Sequence, residues 1–430
     1  MKKRIFSHFS LGCKVNQAEM DSLHRLLLQN GWQKASPFEK ADICIINTCT
    51  VTSMADRKSR QKIRRVINDN PGAFIIVTGC YAENSKKEVE QIEGVSLVLG
   101  NEEKCFLPEI LKEKSIIEHT VFDSGYSDFI HEGRTRVFLK VQEGCENFCS
   151  YCIIPYVRGK IKSVPPGEVI KRVKNLSLNG YKEIVLTGIN LGTYGQDTGS
   201  INLMELLDLI CSTTDIKRLR LSSVEPDING KFLDLFQKYK NLCPHLHIPL
   251  QHGHNKILHA MNRHYTVEQY RELINMARTK IPDLSVTTDV MTGFPGEEDE
   301  YFYATRDLIE ELQFARLHVF CYSPREGTAA SAFPGQVDEK IKHERSKILI
   351  KTGEAMAEKF YKKFIGRTME VLFEHKPDKK TGLLKGLTGN YLSVLAPGEK
   401  IFSGQIMNVK IKGMEDKFLS GEILQEKSEE

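Results

Sequence analysis

Short apolar runs alternate with amphipathic stretches through the first hundred residues. RIFSHFS from Arg4, DICIINT from Asp42, AFIIVTG from Ala73 and VSLVLG from Val95 predict strands. Apolar positions at helical spacing predict helices over residues 16–30, 54–69 and 83–92. This alternation predicts an open, mostly parallel α/β sheet over residues 3–115. Residues 101–133 read as a linker with one short helix, because EHTVFDSGYSDFIHEGRTR carries turn formers and no clear period.

A longer series follows. RVFLKVQ, EIVLTG, RLRLSS, HLHIPL, SVTTDVMTG and ARLHVFCYS are six strand candidates between Arg136 and Ser323, separated by amphipathic helical stretches. Six βα units predict a partial barrel over residues 130–365, with chemistry at the C-terminal strand ends. Residues 337–364 are strongly helical. Beyond Gly366, RTMEVLFEH, GLLKGLTG, YLSVLAP, IMNVKIKG and FLSGEIL are short strands with glycine turns, predicting a small β-barrel over residues 366–428. The fold class is α/β, in three parts.

Composition narrows the class without naming a function. A chain of 430 residues exceeds one core, and 40% hydrophobic with 27% charged residues is ordinary for a soluble protein. No apolar run reaches the 18 or so residues of a spanning helix, and MKKRIFSHFS turns polar too early for a secretory signal. The expectation is a cytoplasmic protein with no membrane association. Net charge is +4, yet Ser53–Asn70 carries six Lys or Arg against two Asp, and Lys362–Lys412 ten against four Asp or Glu. Such patches suit a phosphate backbone, although charge alone fits a solvated face equally well.

The eleven cysteines change the picture. In VQEGCENFCSYCIIPYVRG, Cys145, Cys149 and Cys152 form CxxxCxxC between a strand and a helix. A structural zinc site needs four ligands, and the nearest upstream histidine is His131. Three thiolates suit an iron–sulfur cluster that keeps one iron open. His245 and His247 share one strand face, and His252 and His254 follow in a loop. With Pro249 between them and no carboxylate near, metal ligation there is disfavoured.

CxxxCxxC with Tyr151 before its last cysteine, opening a partial βα barrel, resembles the radical S-adenosylmethionine superfamily. The resemblance implies a 4Fe–4S cluster on Cys145, Cys149 and Cys152, whose fourth iron takes the amino and carboxylate groups of the cofactor's methionine. Polar groups and glycines at the later strand ends are candidates to hold that cofactor: Gly188, Asn190, Glu225, Gln251, Asp289 and Gly293. Turn glycines and helix caps are the plainer reading of each.

Cys13, Cys49 and Cys80 are far apart in sequence, but each stands at or just past a predicted strand's C-terminal end, in HFSLGC, IINTC and IVTGC. In an open α/β sheet those ends share one rim. Cys44 reads as a buried small hydrophobe, and Cys105, Cys211, Cys243 and Cys321 receive the same reading.

Two cysteine trios ahead of a small β-barrel resemble the methylthiotransferase family. LGCKVNQAEMDSL, NTCTVT, TGCYAE, CSYCIIPYVRG, GFPGE and YSPREGT all match, and the resemblance spans nearly the whole chain. It implies a cluster domain, a radical barrel and a TRAM-type RNA-binding barrel. It implies a second 4Fe–4S cluster on Cys13, Cys49 and Cys80, with S-adenosylmethionine serving as methyl donor there and as radical source at the other cluster. GCKVNQAE around Cys13 is similar to the branch that methylthiolates N6-threonylcarbamoyladenosine at tRNA position 37. The implied partner is the anticodon stem-loop, approached by a monomer. Candidate RNA contacts are Arg57, Lys58, Arg60 and Arg64 on the helix after Cys49, and Arg367 and Lys385 in the last barrel. No motif names the sulfur donor or the reductant. Three rival readings stay open: an isopentenyladenosine substrate, a ribosomal-protein substrate, and a non-catalytic iron–sulfur RNA-binding protein.

Overall fold

Five strands build the first sheet of the computed structural model, which describes residues 4–36, 38–117 and 135–424. They are β1 (Ile5–Ser10), β2 (Gln33–Lys34), β3 (Ile43–Thr48), β4 (Phe74–Gly79) and β5 (Leu97–Leu99), all parallel in the order β2-β1-β3-β4-β5. The two-residue β2 leaves no mark in the apolar pattern because both its residues are exposed. Every residue of β3 is buried, so it reads as a nearly unbroken apolar run. Ile43 and Ile45 pack with Met20, Leu23, Leu26 and Leu27 of helix α1 (Lys14–Gln29). Cys44 and Ile46 turn the other way, onto Ile63 and Val66 of helix α2 (Ser53–Asp69). Helices therefore cover both faces, and the strand ends are left as the accessible rim.

The expected helix over residues 83–92 is two shorter ones. Helix α3 (Cys80–Asn84) starts on the cysteine itself, and Lys86–Glu90 follows after Ser85 leaves helical geometry at φ −134°. At the break Asn84 Nδ2 donates to Ser85 Oγ at 3.1 Å. In the linker, Leu107–Glu113 is helical, while the segment beginning EHTVF lies outside the described residues.

This sheet belongs to a compact unit made of Met1–Tyr126, Gln142–Lys162 and Ser323–Ala332. The cysteine loop Cys145–Cys152 therefore packs with the N-terminal sheet. The second unit holds Ser127–Val141, Ser163–Tyr322 and Phe333–Glu430.

In the second unit six parallel strands follow one another as a partial barrel. Arg136–Lys140, Glu183–Thr187 and Arg218–Leu221 form one three-stranded sheet, and His245–His247, Ser285–Thr292 and Arg316–Cys321 another. The bridge Leu219↔Leu242 and the bond from Val224 N–H to His247 O link them. Among the described residues no pairing joins the first strand to the last, so the barrel is open. The long helix Glu339–Lys362 leads into a closed five-stranded barrel of Thr368–Phe373, Leu384–Thr388, Ser393–Ala396, Ile406–Glu415 and Phe418–Ile423. Its core is Val371, Phe373, Leu392, Val394, Val409, Ile411 and Leu419.

A buried cation pair fastens the two barrels of this unit. Arg220 is 1% exposed, bonds Glu183 at 2.8 Å, and donates to the carbonyl of Gly389 at 2.9 Å; Arg218 donates to that of Leu387 at 3.0 Å. RLRLSS alternates leucine with arginine. Its polar face meets another domain rather than water.

Candidate functional site

Strand register decides where the first three cysteines emerge. Ser10 lies opposite Asn47, and Thr48 opposite Gly79, so β1, β3 and β4 end level with one another. Cys13 is the N-cap of α1, Cys49 directly follows β3, and Cys80 is the first residue of α3. Gly12, at φ +90°, passes so close to Cys49 that a Cβ would sit 2.7 Å from its Sγ. Gly79, at φ +95°, leaves 2.2 Å between such a Cβ and Asn47 Oδ1. Only glycine suits either position, since φ and space both exclude a side chain. The trio does converge: burial pushes the Cys49 thiol up to about 11, with the neighbouring Cys80 and Cys13 thiols acting in the same direction. Coordination reverses that preference, because a metal-bound thiol loses its proton outright.

Polar residues pin this rim from beneath. Asn16 Nδ2 donates to Leu11 O at 2.8 Å and Thr48 O at 2.9 Å, and Ser59 Oγ donates to Cys49 O at 3.0 Å. Arg325, from YSPREGT, pairs with Asp56 at 2.5 Å and also donates to Thr50 Oγ1, just after Cys49.

The second trio lies on a turn in the same unit. Cys152 N–H donates to Cys149 O at 2.9 Å, Cys145 N–H to Gly159 O at 3.2 Å, and Ala330 N–H to Ser150 O at 2.8 Å. Gly144, at φ +76°, comes so near Lys160 that a Cβ would fall 1.9 Å from its carbonyl oxygen. Cys145, Tyr151, Cys149 and Cys152 are half-buried. Behind the turn, Ile153 and Val157 pack against Cys80 of the first trio. The donor set of each trio, three soft thiolates on glycine-shaped turns, suits a 4Fe–4S cluster with one iron open. Cys44 is fully buried and Cys243 nearly so, as read from sequence. Cys211 and Cys321 are only half-buried, because each lies on an element with one face toward solvent. The side chain of Cys105 is outside the described ones.

Five of the six cofactor candidates lie past strand ends of the second unit, whereas Asp289 falls inside the Ser285–Thr292 strand, opposite His318. Gly188 and Asn190 follow Glu183–Thr187 directly, and Asn190 is buried. Glu225 is held by Arg263, and burial raises its carboxyl despite that partner. Gln251 sits at φ +63° between Asp289 O and Met291 N–H, both at 2.8 Å. Its buried Oε1 has no hydrogen-bond partner among the described residues. A bound cofactor's hydroxyl or ammonium would satisfy that atom, so the residues fit S-adenosylmethionine. Gly293 N–H donates to Glu297 Oε2 at 3.0 Å, which holds the turn after the Ser285–Thr292 strand.

The histidines have carboxylate neighbours after all. His247 Nε2 lies 3.2 Å from Asp289 Oδ2, and His318 Nδ1 3.1 Å from Asp289 Oδ1. His252 meets Glu297 at 3.2 Å. The expectation of no carboxylate nearby fails because Asp289 and Glu297 arrive from neighbouring segments, 42 and 45 residues along. Burial alone would raise the Asp289 carboxyl, but hydrogen bonds from both imidazoles hold it well below the usual carboxylate range. His247, Asp289 and His318 are close enough to share a metal ion. Each oxygen of Asp289 already has its own imidazole.

Among the basic candidates, Arg57, Lys58 and Arg64 are exposed on α2, while Arg60 bonds Glu88 at 3.2 Å and Tyr81 Oη at 3.0 Å. Lys385 lies over the Phe418 ring at 5.4 Å. Arg367 makes a two-pronged pair with Asp283, one contact at 2.8 Å, so it fastens the small barrel to the larger one.

Comparisons with known proteins match two families. The radical SAM superfamily profile matches residues 139–309, and that of an uncharacterized protein family, UPF0004, matches residues 6–100. The chain is 39% identical to the threonylcarbamoyladenosine tRNA methylthiotransferase MtaB of Bacillus subtilis over 421 residues, covering 94% of this chain and 92% of the relative. It is 37% identical to the MtaB of Aquifex aeolicus, covering 91% and 96%. A tRNA-2-methylthio-N(6)-dimethylallyladenosine synthase of Caldicellulosiruptor saccharolyticus is 32% identical, covering 98% and 93%. Among solved structures, the radical S-adenosylmethionine methyltransferase TsrM of Kitasatospora setae superposes with a TM-score of 0.55 at 15% identity, over 76% of this chain and 77% of that one. That likeness concerns the fold.

Proposed function

The chain belongs to the radical S-adenosylmethionine methylthiotransferases, and from that premise we propose that it acts on tRNA, adding a methylthio group to C2 of N6-threonylcarbamoyladenosine at position 37. The observation that carries the reading is full-length similarity, 35–39%, to four relatives named for that substrate, against 32–33% to those named for dimethylallyladenosine. An aryl C2–H offers no acidity for a side chain to exploit. When bound, the clusters and S-adenosylmethionine supply the methyl group, the sulfur carrier and the radical that this bond requires.

The chain's own residues bind and orient. Cys13, Cys49 and Cys80 take the sulfur-carrying cluster, and Cys145, Cys149 and Cys152 the radical-generating one. Gln251 and Asn190, with Tyr151, Gly188, Glu225, Asp289 and Gly293, are assigned to the cofactor. The test is nucleoside mass spectrometry of tRNA from a host that lacks 2-methylthio-N6-threonylcarbamoyladenosine and expresses this chain. The modified nucleoside should appear. Methylthiolated isopentenyladenosine in its place would move the assignment to the other tRNA branch, and unmodified tRNA would argue for a protein target or a binding role.

Exposed Arg57, Lys58 and Arg64, with Arg60, are assigned to the anticodon stem-loop, and Lys385 and Arg367 to the RNA-binding barrel. Replacing Arg57 and Arg64 by Glu should weaken tRNA binding and flatten its salt dependence by roughly 0.7 log units per lost phosphate contact. An unchanged slope would make α2 an ordinary solvated face. Among the described residues no helix is long and apolar enough to cross a membrane. The reading takes the chain as a cytoplasmic monomer, and light scattering of the holoprotein tests its mass.

A further inference from the structure

Arg158 carries a fully buried guanidinium, six residues beyond Cys152. Such a cation needs partners on every side, and these are Cys80 of the first trio, Glu19, Asn16 and Glu143. Nε donates to Cys80 Sγ at 3.1 Å. Nη1 donates to Glu19 Oε1 at 2.6 Å and Glu143 Oε1 at 2.7 Å. Nη2 donates to Asn16 Oδ1, the same oxygen that faces Cys13 Sγ at 3.9 Å. Glu143 stands two residues before Cys145, so one planar group links a residue beside the second trio to Cys80 directly and to Asn16, which faces Cys13.

We propose that Arg158 is a positioning residue for the cluster on Cys13, Cys49 and Cys80, donating a charge-assisted hydrogen bond to the Cys80 sulfur and thereby setting that cluster's reduction potential. This inference rests on the reading that the first trio holds a cluster. Hydrogen bonds to ligand sulfurs are among the terms that set iron–sulfur potentials. Reduction adds negative charge to the cluster, and a cationic donor at 3.1 Å stabilises the added charge, so Arg158 raises the potential. Glu19 is shared with Lys104 at 2.7 Å, which limits how far its carboxylate cancels the guanidinium. The fork geometry matters as much as the charge. Lysine has no planar set of donors to serve a sulfur, two carboxylates and an amide at once.

The experiment uses the full-length chain with Cys145, Cys149 and Cys152 all changed to Ala, reconstituted anaerobically, so that one cluster reports. If this parent fails to hold iron, the cluster reading of the first trio is wrong, whatever Arg158 does. With iron bound, Arg158→Lys keeps the charge and gives up the fork, while Arg158→Gln gives up the charge. In a titration followed by electron paramagnetic resonance, Arg158→Lys should lower the reduction equilibrium constant at least tenfold, about 59 mV for a one-electron couple. Arg158→Gln should lower it further. The parent potential in Arg158→Lys with iron retained would overturn the proposal. So would loss of iron from Arg158→Lys, which would leave the residue a structural tie.

Discussion

Cys152→Ala is expected to abolish cleavage of S-adenosylmethionine, with 5′-deoxyadenosine release under anaerobic reducing conditions falling to the protein-free background. The reason is the count of ligands. On the proposed reading Cys145, Cys149 and Cys152 would hold the cluster and leave one iron for the cofactor, so there is no spare protein ligand. Cys152 is also bound into the turn through its N–H to Cys149 O at 2.9 Å, and the loop holds no fourth cysteine to take its place. Iron in the reconstituted protein should fall from about eight to about four per chain, because the other trio keeps its own cluster. Deoxyadenosine release persisting in this variant would remove the radical-generating role from the loop.

Cys49→Ala separates the two trios from the opposite side. It should leave deoxyadenosine release in place while methylthio product becomes undetectable, so the cofactor is consumed without transfer. Cys49 is buried at 8% exposure, close against Gly12, with Cys13 and Cys80 as its neighbours. Deleting its sulfur removes one small atom from a well-supported rim, so the sheet should persist and the second trio should keep its cluster. Methylthiolated nucleoside from this variant would contradict the division of labour between the trios.

The six cysteines were legible because two kinds of local signal mark them. CxxxCxxC is visible within eight residues, and Cys13, Cys49 and Cys80 each close a strand whose apolar run is plain. Parallel register then makes strand ends coincide, so the topology alone brings that trio together. Arg158 escaped notice because nothing beside it in PYVRG sets it apart. Its value comes from Glu19 and Asn16, 139 and 142 residues away. The His247–Asp289–His318 group was hidden in the same way, each member coming from a different strand. The partner of Arg367 was out of view in the same way, since Asp283 lies 84 residues earlier.

Local periodicity and cysteine spacing, on their own, determined the α/β plan, the parallel rim and the placement of Cys13, Cys49 and Cys80 at strand ends, because each depends on neighbours within a few residues. Tertiary structure alone decided that Gln142–Lys162 and Ser323–Ala332 pack into the N-terminal unit, and that one buried guanidinium bonds both the Cys80 sulfur and Glu143, two residues before Cys145. A buried charge is tolerated only where distant partners surround it, and no window of sequence contains those partners.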